Sequence, residues 1–308
     1  MATVIDAVAT MLSDPLMQRA LIVAMLVGLV APVIGTYLVQ RRLSLLGDGI
    51  GHAALTGVAL GWLVGNLVGL SPNDVLAVPG AVLAALVGAI AIEVVRSHGR
   101  TSGDVALAML FYGGIAGGVL IMSLAGGTNA NLVGYLFGSI STVSTQDVLL
   151  TVALSVLVLA VGVGLRAALF AVCHDEEFAR ATGLPVRALN VTIAVVAALT
   201  VTVAMRVVGV LLVSALMIVP VAVAQLVTSS FGRTMANAMV IGVVVCVTGL
   251  TITYWHDASP GATIVVLAIG LYALTTAARP LLRRARRLPW RDPHPDVADD
   301  VVLLGGGE

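Results

Sequence analysis

Apolar runs of about twenty residues recur along this chain, and a run of that length is long enough to cross the roughly 30 Å hydrocarbon core of a bilayer as an α-helix. In lipid every backbone N–H and C=O must find a partner inside the protein, so only helices and closed barrels span. A barrel would read as alternating segments of about ten residues, whereas these runs are continuous. With 308 residues, 59% of them apolar and 10% charged, and a mean hydropathy of +1.07, the chain is expected to be an all-α, polytopic membrane protein.

About nine spans are expected, at roughly 20–39, 45–68, 75–95, 105–124, 148–165, 189–205, 207–223, 235–253 and 262–278. The segment 191–227 is almost wholly apolar, and at 1.5 Å per residue it would make a helix of about 55 Å, so it must fold back. Arg206 is the expected reversal, with Pro220 bending the end of the seventh span. Residues 132–140 are apolar but too short to cross and read as a re-entrant or interfacial piece. The stretch 173–187 reads as one short amphipathic helix stopped by Gly183 and Pro185. The first fifteen residues, acidic at Asp6 and Asp14, are expected to form a surface helix ahead of the first span.

All 16 basic residues are arginine, and their placement tests this count. Six lie between Arg279 and Arg291, which puts the C-terminus in the cytoplasm. With nine spans, Arg41, Arg42, Arg96, Arg100, Arg166, Arg180, Arg187 and Arg233 fall on the same side, leaving Arg19 and Arg206 outside with the N-terminus. Residues 1–280 therefore form the transmembrane domain, and 281–308 a cytoplasmic tail, basic then acidic, expected to be disordered. The absence of lysine excludes a Walker A site, so any ATP is handled by another subunit. Cys173, in a polar loop, and Cys246, in an apolar run, read as two free thiols.

Within the second span Asp48 and His52 are four residues apart and share one helix face, continued by Thr56. A charge at mid-helix costs about 2.5 to 3.5 kcal/mol to insert, which makes such a pair a functional-site candidate. Carboxylate and neutral imidazole suit divalent zinc, manganese or iron, and the lack of thiolates argues against copper(I). The bland alternative is that Asp48 sits in a first helical turn favoured by the dipole while His52 bonds a carbonyl. Beside the pair, Gly49, Ala53, Gly57 and Gly61 recur every four residues and let neighbouring backbones approach. That ladder drifts around a 3.6-residue helix, so more than one partner helix is expected on it. His256 and Asp257, in the last outer loop, are weaker metal candidates that read equally well as solvated.

Four stretches carry a family resemblance: RRLSLLGDGIGHAALTGVALG at 41–61, GYLFGSISTVSTQD at 134–147, DEEFARATGLPVRALN at 175–190 and RVVGVLLVSALMIVPVAVAQ at 206–225. In order and spacing they resemble the permease subunits of bacterial ABC importers for zinc and manganese, relatives of the vitamin B12 and siderophore permeases. The resemblance implies the type II importer fold in a bacterial plasma membrane. It implies a homodimer bound to two cytoplasmic ATPase subunits and supplied by an extracytoplasmic solute-binding protein, with no permanent cofactor, no catalysis in this chain and no nucleic-acid partner. It makes Asp48 and His52 the metal-handling pair, and Asp175, Glu176, Glu177, Phe178 and Gly183 the ATPase-coupling segment. Two rivals remain at this point, an ion-coupled secondary carrier using the pair as a proton relay, and the same fold carrying a metal chelate such as a siderophore.

Overall fold

Long apolar stretches broken by Gly, Pro, Asn and Asp give helix after helix. A computed structural model describes residues 9–70, 75–97, 103–138, 143–205, 208–256 and 258–285, with side chains left undescribed at 97, 129–132, 203 and 279–285. The elements are α1 (Pro15–Gln40), α2 (Leu46–Val68), α3 (Ala77–Ser97), α4 (Gly103–Leu124), α5 (Asn129–Phe137), α6 (Thr145–Gly164), α7 (Arg166–His174), α8 (Glu176–Ala181), α9 (Val186–Ala204), α10 (Val210–Val227), α11 (Phe231–Trp255) and α12 (Pro260–Ala285). No strand occurs among the described residues.

Eight of these helices are long and apolar enough to cross a membrane, and α9 is a shorter apolar helix whose ends decide whether it makes a ninth crossing. At one rim Tyr37 packs on Phe231, which packs on Phe170, and Arg41, Glu176 and Asn190 are bonded together. At the other rim Asn66 donates to Ala125 O, Gly209 lies against the backbone of Leu136 and Phe137, and Gly261 lies against the carbonyls of Phe137 and Val208. Asn190, near the start of α9, is at the first rim, and Val208, just past its end, is at the second. With 19 residues, α9 spans about 28 Å. It therefore crosses, and the described residues contain nine crossing helices. The reversal lies between Met205, which caps α9, and Gly209 at φ 88, and Arg206 itself is outside the described residues.

α1 and α2 form the centre. α1 meets α11 where Gly28 and Gly242 face each other so closely that a Cβ on either would overlap the other's carbonyl, and it meets α10 where Gly35 lies on the Met217 backbone. Such glycines bring helix axes close enough for dispersion contacts where no hydrophobic force acts between spans. Tyr37, fully buried, donates its hydroxyl to Gly162 O and joins α1 to α6. α2 is surrounded by α3, α4, α9 and α10.

Several boundaries differ from expectation for local reasons. α1 begins at Pro15 rather than near Ala20, because Asp14 accepts from Leu16 N and Pro15 opens the helix; ahead of it, 9–13 are helical. The single amphipathic helix expected over 173–187 is reduced to α8, with the last residues of α7 before it and the first of α9 after it. Asp175 adopts extended backbone between α7 and α8 and its carboxylate accepts from Glu177 N and Phe178 N, holding more in that cap than an Asp gains inside a helix. Cys173 is accordingly buried in the last turn of α7 and not in a loop. α8 ends at Ala181 and closes with Leu184 N bonded to Ala179 O and Gly183 left-handed at φ 82. α10 stays helical through Pro220 to Val227. α5 realises the short apolar segment as nine residues, too few to cross. α12 continues past Pro280 to Ala285. His98, Arg100, Asp257, the turn at 71–74, the end of the 132–140 segment and the tail beyond 285 lie outside the described residues.

Candidate functional site

Asp48 stands in the first turn of α2, where unpaired N–H groups and the helix dipole favour a carboxylate. It is half-buried, and no hydrogen bond or ion pair of its side chain occurs among the described residues. His52, one turn on, is 4% exposed. Phe111 of α4 meets the imidazole edge to face, ring centroids 4.4 Å apart at 81°. At the same level Gly114 of α4 lies on the His52 backbone so tightly that a Cβ would overlap it. Thr56 donates to Gly114 O at 2.8 Å. The His52–Thr56 part of the polar face thus lies on the α2–α4 seam, with Asp48 one turn before it.

The imidazole Nδ1 is buried and lacks a hydrogen-bond partner among the described residues. The alternative read from the sequence, a bond from His52 to a backbone carbonyl, does not occur among the described residues at Nδ1. A buried unpaired nitrogen one turn from a half-buried carboxylate presents a lone pair and a negative charge, donor types that suit a divalent cation. No group of three or more His, Cys, Asp or Glu residues stands together among the described residues, so one chain does not complete a coordination sphere from such side chains. His256, exposed at the C-terminal end of α11, belongs to the rim away from Asp48 and is not brought to the pair.

The small-residue ladder passes from one neighbour to the next. Gly49 lies against Leu107 and Leu110 of α4, Ala53 touches Gly88 of α3, Gly57 meets Gly80 and Ala84 of α3, and Gly61 meets Leu76 and Ala77 at the α3 start. Between these three helices a cavity of about 720 Å³ is lined by Thr56, Leu83, Val87, Met109 and Gly113 among others. Its walls are apolar apart from Thr56, so it offers a cation almost no ligand.

On the arginine-bearing rim, α8 shows two faces. Asp175, Glu177, Phe178 and Gly183 are exposed, Phe178 to 62%, while Ala179 is fully buried. Glu176, its side chain 40% exposed, is held by Arg41 and Asn190. Sequence reasoning missed Phe111 and Gly114, for no local pattern marks a residue as covering a helix met about 60 positions away, and it missed Asn190, which bonds Glu176 from 14 positions on. Arg41 was visible only as a topology charge.

Burial pushes the Cys173 thiol up to about 12, the nearby Arg41 only partly opposing this and Glu176 reinforcing it. It is a protonated, inert thiol at neutral pH.

A bundle of nine crossings, centred on a helix that carries a carboxylate and a buried imidazole one turn apart and edged by a short helix with an open outer face, defines a polytopic membrane permease. The ABC 3 transport family matches residues 13–279, and the chain belongs to that family. The chain is 31% identical over 264 residues to the manganese transport system membrane protein MntC of Halalkalibacterium halodurans, covering 86% of this chain and 87% of that one. It is 31% identical over 253 residues to the chelated iron transport system membrane protein YfeD of Yersinia pestis, covering 82% of each. Among solved structures, PsaBC from Streptococcus pneumoniae in complex with Fab superposes with a TM-score of 0.77 at 27% identity, covering 92% of this chain and 99% of that chain. The protein is an ABC importer permease of the kind its four motifs resemble, a transport subunit and not an enzyme.

Proposed function

We propose that this chain forms the translocation path of an ATP-driven importer of bare divalent transition-metal ions, manganese or zinc, and that Asp48 and His52 handle the ion. The observation that carries the reading is the buried, unpaired Nδ1 of His52 one turn from Asp48, in a chain of this family. An unmet buried donor or acceptor costs about 1 to 3 kcal/mol, a cost that a cation ligand recovers each time the ion passes. Two copies related by a two-fold axis supply two nitrogens and two oxygens, enough for transient coordination. The relative named for manganese supports the cargo class. The relative named for chelated iron leaves iron(II) in the same donor class, since these ligands accept all three ions.

In the assembly, Asp175, Glu177, Phe178 and Gly183 present the outer face of α8 to the ATPase, and the arginine-bearing rim is cytoplasmic. The opposite rim, with His256, receives metal from the solute-binding protein. The test is uptake of labelled manganese and zinc by the reconstituted permease–ATPase complex supplied by its binding protein. Asp48→Asn and His52→Ala are each expected to lower uptake by at least about 100-fold, since even outer partners of metal ligands cost about 10- to 100-fold when removed. Wild-type uptake in either variant, at normal yield and ATPase association, removes that residue from the site.

A further inference from the structure

One carboxylate oxygen ties three separated parts of the chain together. Glu176 Oε1, at the start of α8, accepts from Arg41 Nη2 at 2.9 Å and from Asn190 Nδ2 at 3.0 Å. Arg41 caps the end of α1, and Asn190 lies in the opening turns of α9. The Arg41 side chain is only 5% exposed, so losing Glu176 would leave a guanidinium charge unpaired out of water. The corner it belongs to is fixed by backbone bonds, Arg41 N to Tyr37 O at 3.0 Å and Leu43 N to Leu38 O at 2.8 Å. α2 starts at Leu46, and Asp48 is in its first turn. The exposed face of α8, carrying Glu177 and Phe178, is therefore one short helix and one ion pair away from the corner that begins the Asp48–His52 helix. Displacing α8 must either carry that corner with it or break the pair.

We propose that the Arg41–Glu176–Asn190 junction is the strut that passes movement of α8 to the α1–α2 corner, and through it to Asp48 and His52. Glu176, Arg41 and Asn190 are then positioning residues for transport, and Glu176 leaves the set that docks on the ATPase. This rests on the reading of the outer face of α8 as the ATPase dock.

The experiment uses the whole permease–ATPase complex in vesicles, supplied with binding protein and radiolabelled manganese, and reads ions taken up per ATP hydrolysed. A merely structural defect lowers the amount of active complex and leaves that ratio unmoved. Glu176→Gln, which keeps shape and removes charge, is expected to retain the ATPase and lower the ratio by about three- to tenfold, the range expected when a link in an energetic network is weakened. The swap R41E/E176R is expected to restore the ratio over E176R alone. In it the buried Asn190 Oδ1, unpaired among the described residues, accepts from the guanidinium introduced by E176R. An unchanged ratio in E176Q overturns the strut, and so does loss of ATPase co-purification in that variant, which would make Glu176 a docking residue. A swap that folds but does no better than E176R alone also overturns it; if the swap does not fold, E176Q decides. A wild-type complex that takes up neither manganese nor zinc counts against the transport reading itself, an outcome separate from all of these.

Discussion

His52 shows how a residue can be costly to the fold and still be kept. Its Nδ1 is buried without a partner among the described residues, and its ring is packed against Phe111. Replacing both the nitrogen and its cost with an apolar side chain of similar bulk is expected to stabilise. His52→Leu should raise the thermal midpoint of the solubilised protein, by the equivalent of about 1 kcal/mol, while uptake is lost. A lowered midpoint would show that the nitrogen has a stabilising partner. Arg42 is the non-glycine residue held at positive φ among the described residues, at 58°, in the tight α1–α2 corner. The left-handed conformation costs an L-residue roughly 1 to 2 kcal/mol, so Arg42→Gly should leave stability equal or slightly higher in the same melting assay. Cys173 makes a pH prediction. With its thiol pushed up to about 12, roughly one molecule in 10⁴ carries the thiolate at pH 8. Because only the thiolate alkylates, labelling of the folded protein at pH 8 should be far slower than that of the unfolded chain and should accelerate as pH rises towards 12. Equal rates would place the thiol in solvent.

At the scale of elements, the α2–α3 contact is decided by atoms that are missing. A Cβ on Gly57 would overlap Gly80 O, and one on Gly80 would overlap Gly57 O, so the two backbones touch where both side chains are absent. Gly57→Leu is expected to push α3 away over the turns from Gly57 to Gly61. Solubilised yield and thermal midpoint should fall, by several kcal/mol equivalent, as for severe overpacking. Normal stability would mean that the seam yields freely. The ladder of small residues was legible because its four-residue spacing is a local property of the sequence. That it serves α4 at Gly49 and α3 from Ala53 onward was legible only as a drift, because which helix stands on each side depends on the order in which spans pack.

For the whole molecule, the two rims follow from contacts between distant segments. Phe178 is exposed on the rim that also holds Arg41 and Asn190, and His256 is exposed on the rim of Gly209 and Gly261. Phe178→Cys and His256→Cys, introduced singly, should react with a membrane-impermeant thiol reagent from opposite sides of a sealed vesicle. Both native cysteines are buried and should stay silent. Labelling of both from one side would remove either the α9 crossing or the reversal before α10. The proposed orientation, with the arginine-bearing rim cytoplasmic, rests on the arginine distribution, because the orientation bias acts on short basic loops.

The sequence by itself determined the helical class, the approximate positions of the crossings, the fold-back near residue 206 and the shared face of Asp48 and His52. Each of these depends on local quantities, apolar run length against bilayer thickness and a 3.6-residue repeat against a four-residue spacing. Only the tertiary structure decided that Phe111 and Gly114 close over His52, leaving its nitrogen unpaired. It alone decided that Glu176, on a helix whose Phe178 is open to the outside, bonds to Arg41, 135 positions away, and to Asn190. Those outcomes turn on which distant helices come to lie side by side, and in lipid the choice of neighbour is made by close backbone packing and by the pairing of the few polar groups rather than by any periodicity within one strand of sequence.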